Sequence, residues 1–199
     1  MLRQPGEARD QALAVRILIR QMLESRLGQT AWTIPMTYAE TGQPLLDAPV
    51  PLHISLSHAD GFVAAAFGTA GPLGVDVETA RNIPATPELL PFAQRFFSAE
   101  EYRDIAALTD EDRGQEVLAL WTAKEAIAKA AGLGLGLPFR ASLIGPPLVE
   151  TENRHDHIRP VFHSAQVTAV RTWRLETEAA LSLAAAGQDI QTLAAISLS

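Results

Sequence analysis

From Glu7 to Leu27 the apolar residues Leu13, Ile17, Leu18, Met22 and Leu23 recur at steps of three and four, the period of one helical face, and Gly28 ends the run. A short strand follows at Ile34 to Tyr38, then a turn at Thr41-Gly42-Gln43-Pro44, and residues 47 to 51 read as loop. His53 to Leu56 and Phe62 to Phe67 are apolar runs that suit a hairpin, with Ser57-His58-Ala59-Asp60-Gly61 as the loop between them. Leu73 to Glu78 alternates, with Leu73, Val75 and Val77 on one face and Gly74, Asp76 and Glu78 on the other, so it reads as a strand with an acidic face. Ser98 with Glu101 three residues on is a capping box that opens a helix through Tyr102, Ile105 and Leu108. A longer helix runs from about Asp112 to Ala131 and breaks at Gly132, Gly134 and Gly136. Gly145 to Pro160 reads as loop, and Val161 to Leu175, Ala180 to Ala186 and Ile190 to Ile196 as strands.

A chain of 199 residues with 47% hydrophobic content can bury one substantial core or two small ones. The absence of cysteine excludes a disulfide framework, a thiolate zinc site and a cysteine nucleophile together, so a metal must sit on oxygen or imidazole. Arg3, Glu7, Arg9, Asp10, Arg16 and Arg20 interrupt the first thirty residues, leaving no apolar core for a secretory signal, and no later run approaches a membrane span. A cytoplasmic chain without a membrane partner is expected. The net charge of −7 argues against nucleic acid as the main partner, and the oligomeric state is open.

Two constellations carry candidate chemistry. Asp76 and Glu78 emerge on one strand face ~6.6 Å apart along the chain, where their oxygens can converge on a magnesium ion, although such a face is also the ordinary solvated side of a half-buried sheet. Trp121, Glu125 and Lys129 follow at four-residue steps along one helical face, with Lys124 about 100° round from Glu125. Taken alone, that pattern equally describes a surface Glu125–Lys129 pair beside a core tryptophan. His155 and His157 flank Asp156 but lack a neighbouring third ligand, and are read as solvated.

The strings ISLSHADG (Ile54 to Gly61), GVDVE (Gly74 to Glu78), RFFSAEEY (Arg95 to Tyr102) and WTAKEAIAKAAGLGL (Trp121 to Leu135) occur in that order. Together they resemble the successive motifs of the Sfp-type 4′-phosphopantetheinyl transferases, with WxxKExxxKxxG met at every fixed position and GxDxE complete. The resemblance implies an α/β (α+β) fold with a pseudo-two-fold arrangement of two similar halves, residues 1–72 and residues 73–199, and coenzyme A in the cleft between them. The second half would carry the metal site. Position by position it implies Asp76, Glu78 and Glu125 as ligands of Mg2+ or Mn2+, and Glu125 also as base for the acceptor serine. It implies Lys124 and Lys129 as phosphate contacts, Lys129 also serving the chemical step, and Ser57 and His58 as cofactor contacts.

The implied reaction is magnesium-dependent transfer of 4′-phosphopantetheine from coenzyme A to a serine hydroxyl of an apo acyl or peptidyl carrier protein, releasing 3′,5′-ADP. The rivals are a weakened relative that binds carrier protein or nucleotide without efficient transfer, and a magnesium hydrolase of coenzyme A. Three departures stand out. Gly42-Gln43-Pro44 replaces the family's typical Gly-Lys-Pro, Gln11 aligns with an arginine that meets the nucleotide unless a small shift brings Arg9 there, and little precedes the first helix. The first half-sheet is therefore expected to be shortened, or completed by another chain.

Overall fold

The computed structural model describes residues 5–133, 139–141, 143–145, 156–162, 169–175, 179–185 and 192–197. It is a mixed α+β fold. Helix α1 (Pro5–Leu27) leads through a 3-10 turn (Gly28–Trp32) to the two-stranded hairpin of β1 (Met36–Tyr38) and β2 (Pro44–Leu46). Strands β3 (His53–Ala59) and β4 (Phe62–Gly68) follow, then β5 (Leu73–Thr79) and the helices α2 (Leu89–Phe96), α3 (Ala99–Ala107) and α4 (Asp110–Ala130). The chain finishes with β6 (Leu143–Ile144), β7 (Asp156–Phe162), β8 (Ala169–Leu175), β9 (Ala179–Ala185) and β10 (Thr192–Ser197).

Beside the β1-β2 pair, two larger antiparallel sheets form among the described residues, of order β10-β4-β3 and β5-β9-β8-β7-β6. The last strand thus crosses the boundary drawn at residues 72 and 73, and this chain's own β10, paired with β4 from Thr192↔Phe67 to Ser197↔Phe62, widens the first sheet. Strand β4 reads as an unbroken apolar run because both of its faces are covered. Val63, Ala65 and Phe67 join Val15, Leu18, Ile19 and Leu23 of α1, whereas Ala64 and Ala66 meet Leu73, Val75 and Val77 of β5. Helix α4 lies across β5, β9 and β8 in the larger core.

Several boundaries differ from the sequence reading. The hairpin loop shrinks to Asp60-Gly61, whose positive φ values of 26° and 86° make a two-residue turn, so Ser57 and His58 belong to β3. Strand β7 begins at Asp156 inside the segment read as loop, and α2 and β6 were not expected. Leu13 and Ile17 were grouped with the helix's apolar face, yet they are 57% and 40% exposed, because the packed stripe runs through Val15, Leu18, Ile19 and Leu23. Gly134, Gly136 and His155 lie outside the described residues. No helix among the described residues is long and apolar enough to cross a membrane.

The helical termini follow local rules. The Ser98–Glu101 capping box forms reciprocally, with Glu101 N–H donating to Ser98 Oγ at 3.2 Å and Ser98 N–H to Glu101 Oε2 at 2.8 Å. At the far end of α4, Gly132 takes φ +66°, and the N–H groups of Gly132 and Leu133 donate to Lys129 O (3.1 Å) and Ala128 O (3.2 Å). That pair of bonds is a Schellman stop, which a left-handed glycine makes without steric cost.

Candidate active site

The site begins with the close approach of β5 to α4. A Cβ added at Gly74 would stand 2.0 Å from Ala126 O and 2.5 Å from Ala130 N, so only glycine lets strand and helix backbones touch here. Asp76 and Glu78 follow on the same strand face, beneath the helix that carries Glu125 and Lys129.

Asp76 is 4% exposed. Its Oδ1 accepts from Ser57 Oγ at 2.8 Å and from Lys129 Nζ at 2.7 Å, while Oδ2 is buried without a hydrogen-bond partner. Lys129 Nζ also donates to Val75 O at 3.1 Å and Leu56 O at 3.4 Å, tying the facing edges of β3 and β5 together. Serine hydroxyls tie the same edges, since Val75 N–H donates to Ser55 Oγ (3.0 Å) and Val77 N–H to Ser57 Oγ (3.3 Å). Side chains of one sheet thus satisfy edge backbone of the other.

Glu125 stands one turn before Lys129 and is half-buried. Burial pushes its carboxyl up to about 7, the charges of Asp76 and Glu78 push the same way, and Lys129 opposes them. Burial first, then Asp76, also raises Glu78, although Asn82 Nδ2 donates to its Oε2 at 2.5 Å and eases the shift. Three mutually raised or buried acids share one ammonium, an arrangement short of positive charge.

A cleft of about 270 Å³ opens beside these groups, lined by the Thr41–Pro44 turn, Ser55 and Leu56 of β3, and Glu125, Lys129 and Gly132 of α4. Gln43 Oε1 would be 3.2 Å from a Cβ at Gly132, so the glutamine side chain reaches over the helix terminus.

Among the described residues no group of three His, Asp or Glu side chains is placed to hold a metal ion as it stands. The donor set still suits magnesium, which takes one or two carboxylates and completes its shell with phosphate oxygens and water. The partnerless buried Asp76 Oδ2 and the raised Glu78 and Glu125 are groups whose charged forms a cation would stabilise.

Asp76 and Lys129 meet directly, and Glu78 and Glu125 lie near enough for the charge of Asp76 to act on both, so the acidic face is no solvated sheet surface. Two expected cofactor contacts are placed elsewhere. Ser57 is 7% exposed, with its hydroxyl engaged by Asp76 and Val77. Lys124 is wholly buried, paired with Glu101 Oε2 at 3.0 Å and donating to Phe139 O at 2.7 Å, because it lies on the side of α4 turned into the core. Its pKa is lowered by burial and partly restored by Glu101. His58 is half-buried on the face of β3 opposite Ser57. Gln11 is 3% exposed, and its Oε1 has no hydrogen-bond partner.

The roles of Ser55 and Glu101 were missed. The alternation of Ser55 and Ser57 was the available signal for the first, two hydroxyls on one strand face. Glu101 was recognised only as a cap, yet its Oε1 also accepts from Ile144 N–H at 2.9 Å, so one carboxylate joins α3, α4 and β6.

Residues 72–186 match the family model described as the 4′-phosphopantetheinyl transferase superfamily. A 4′-phosphopantetheinyl transferase of Bacillus subtilis is 28% identical over 178 residues, covering 87% of this chain and 72% of that protein. The B. subtilis 4′-phosphopantetheinyl transferase Sfp is 30% identical over 123 residues, covering 62% of this chain but only 52% of its own length. This chain thus spans about half to three quarters of these relatives. Among solved structures, a holo-(acyl-carrier-protein) synthase from Bacillus anthracis in complex with CoA (3′,5′-ADP) is similar at TM-score 0.42 and 18% identity, over 58% of this chain and 96% of that one. With the family model covering more than half of its residues, and the Gly74-centred acidic site inside the matched region, the chain belongs to the 4′-phosphopantetheinyl transferase superfamily.

Proposed function

We propose that this chain transfers 4′-phosphopantetheine from coenzyme A to a serine hydroxyl of an apo acyl or peptidyl carrier protein, in the cytoplasm and with Mg2+. The observation that carries this reading is the meeting of Asp76 and Glu78 with Glu125 and Lys129 at the Gly74 crossing, beside the cleft under Gln43. Asp76, Glu78 and Glu125 would hold the cation, which when bound supplies charge neutralisation at the diphosphate oxygens.

Glu125, on the cleft wall, is suited to take the proton of the acceptor serine at Oε, its charged form being the one a bound cation would favour. The serine Oγ forms a bond to the phosphorus that bears pantetheine, the bridging P–O bond breaks, and 3′,5′-ADP leaves with the electron pair. Lys129, on the cleft wall, offsets charge that grows on the phosphate oxygens, and His58 is proposed to contact the nucleotide. Lys129 is bound to Asp76 here, so it exchanges that carboxylate for phosphate when the cofactor enters.

Intact-mass spectrometry of an apo acyl carrier protein incubated with the chain, coenzyme A and magnesium tests the reading. A phosphopantetheine adduct on the carrier serine is expected, and free phosphopantetheine instead would indicate hydrolysis. A second reading, a relative that binds without efficient transfer, draws on Gln43, which puts an amide in the cleft where the family pattern has lysine. Coenzyme A binding without any adduct would favour it.

A further inference from the structure

One corner of the Asp76 carboxylate lacks a donor. Ser57 and Lys129 engage Oδ1 from the β3 side of the strand, whereas Oδ2 is buried without a hydrogen-bond partner. An unbonded carboxylate oxygen in the interior is costly, so the groups on the other flank of β5 matter.

That flank is β9. Ser182 stands directly opposite Asp76 in register, and Thr172 of β8 directly opposite Ser182. Directly opposed residues of antiparallel strands project to one face, so Asp76, Ser182 and Thr172 make a polar row across three strands. The face is the one that α4 covers, since Val170 and Ala180, two residues away on the same strands, belong to the core beneath that helix. Ser182 is wholly buried and Thr172 nearly so, and their hydroxyl oxygens lie 2.9 Å apart.

The protons of this row can be counted. Two hydroxyls own two donors, and the bond between them uses one. The other needs an acceptor, and Asp76 Oδ2 is a buried acceptor that needs a donor. Donation from Thr172 Oγ1 to Ser182 Oγ, and from Ser182 Oγ towards Asp76 Oδ2, answers both needs. Opposed Cβ atoms lie about 4.5–5.5 Å apart, a gap that a serine rotamer aimed at the carboxylate spans. A carboxylate oxygen has two lone pairs, so Oδ2 can accept from Ser182 and still face a cation.

We propose that Ser182, itself oriented by Thr172, is a positioning residue that fixes the Asp76 carboxylate for the cation of the transfer site. The part played by Asp76 rests on the transferase reading; the polar row does not. Hydrogen-bond partners that orient a metal ligand commonly contribute ten- to a hundredfold to metal affinity.

Manganese is the probe, titrated into the full chain with coenzyme A present and followed by loss of the free-ion paramagnetic resonance signal. Ser182→Ala is expected to weaken Mn2+ binding by about tenfold or more. Thr172→Val should weaken it by a smaller factor, because it acts through Ser182, and Thr172→Ser, which keeps the hydroxyl, should bind as wild type does. Coenzyme A affinity measured without metal should be unchanged in all three. The contrast between the two Thr172 variants decides the matter if Ser182→Ala does not fold. Unchanged Mn2+ affinity in whichever of Ser182→Ala and Thr172→Val folds overturns the proposal. Equal weakening by Thr172→Val and Thr172→Ser also overturns it, because packing and not the hydroxyl would then be responsible. A wild-type chain that binds no Mn2+ overturns it together with the cation site. If the variants lose Mn2+ affinity as expected while the wild type leaves an apo acyl carrier protein unmodified, the positioning role stands and the transferase reading fails.

Discussion

Gly74 meets Ala126 backbone to backbone: a Cβ on the glycine would stand 2.0 Å from the alanine carbonyl oxygen. This contact sets how near Asp76 lies to Glu125 and Lys129. Gly74→Ala forces β5 away from α4, and is expected to cost about 3 kcal/mol or more of stability, at or above the usual range for overpacking. The urea midpoint should fall, and coenzyme A affinity should fall with it. A variant as stable as wild type would show that the crossing is not tight.

Ser57→Ala removes a donor from Asp76 and an acceptor from Val77 N–H in a buried setting. A loss of ~1–3 kcal/mol is expected by equilibrium denaturation, with coenzyme A affinity little changed. A large loss of affinity at unchanged stability would restore Ser57 as a cofactor contact.

Lys124→Met leaves the Glu101 carboxylate buried without its ammonium. Breaking such a pair by removing one partner costs about 3–5 kcal/mol, so the variant should melt far below wild type while its folded fraction binds coenzyme A normally. Weakened binding at wild-type stability would contradict the buried placement.

The raised pKa of Glu125 gives a signed pH dependence. The folded chain holds that proton up to about pH 7, whereas the unfolded chain releases it near the ordinary carboxylate value, so folding binds protons between the two. Metal-free protein should therefore lose this contribution as pH rises from about 4.5 towards 7, and Glu125→Gln should flatten that slope. Added magnesium should raise the melting temperature more at pH 8 than at pH 5.5, because it stabilises the charged form. Parallel melting curves for wild type and Glu125→Gln across this range would argue against the shift.

Gln43→Lys places a cation on the cleft wall. Coenzyme A should bind more tightly, by about tenfold for each 1.4 kcal/mol gained, less so at high salt, with turnover little altered because a remote contact acts equally on ground and transition states. Unchanged affinity by calorimetry would mean that the turn does not face the cofactor.

Much of the fold was legible along the chain. The alternation in Leu73 to Glu78 reflects a strand period, and the capping box and Gly132 mark helix ends through short-range hydrogen bonds. Such features depend on backbone geometry within a few residues, so the sequence by itself determined them. The candidate acids and Lys129 were legible in the same way, through their spacing within β5 and α4.

What each neighbouring side chain does was decided only in three dimensions. Lys124 and Glu125 are adjacent, yet one is wholly buried against Glu101 and the other lines the cleft, because the helix turns about 100° between them and packing chooses which side faces the core. Ser57 passed from expected cofactor contact to partner of Asp76 once a two-residue turn let β3 run on to Ala59. Leu13 and Ile17 kept the helical period but faced outward, and β10 joined a sheet whose other strands lie far earlier in the chain. Periodicity tells which residues share a face; which surface covers that face depends on contacts between segments distant in sequence, and these form only when the chain folds.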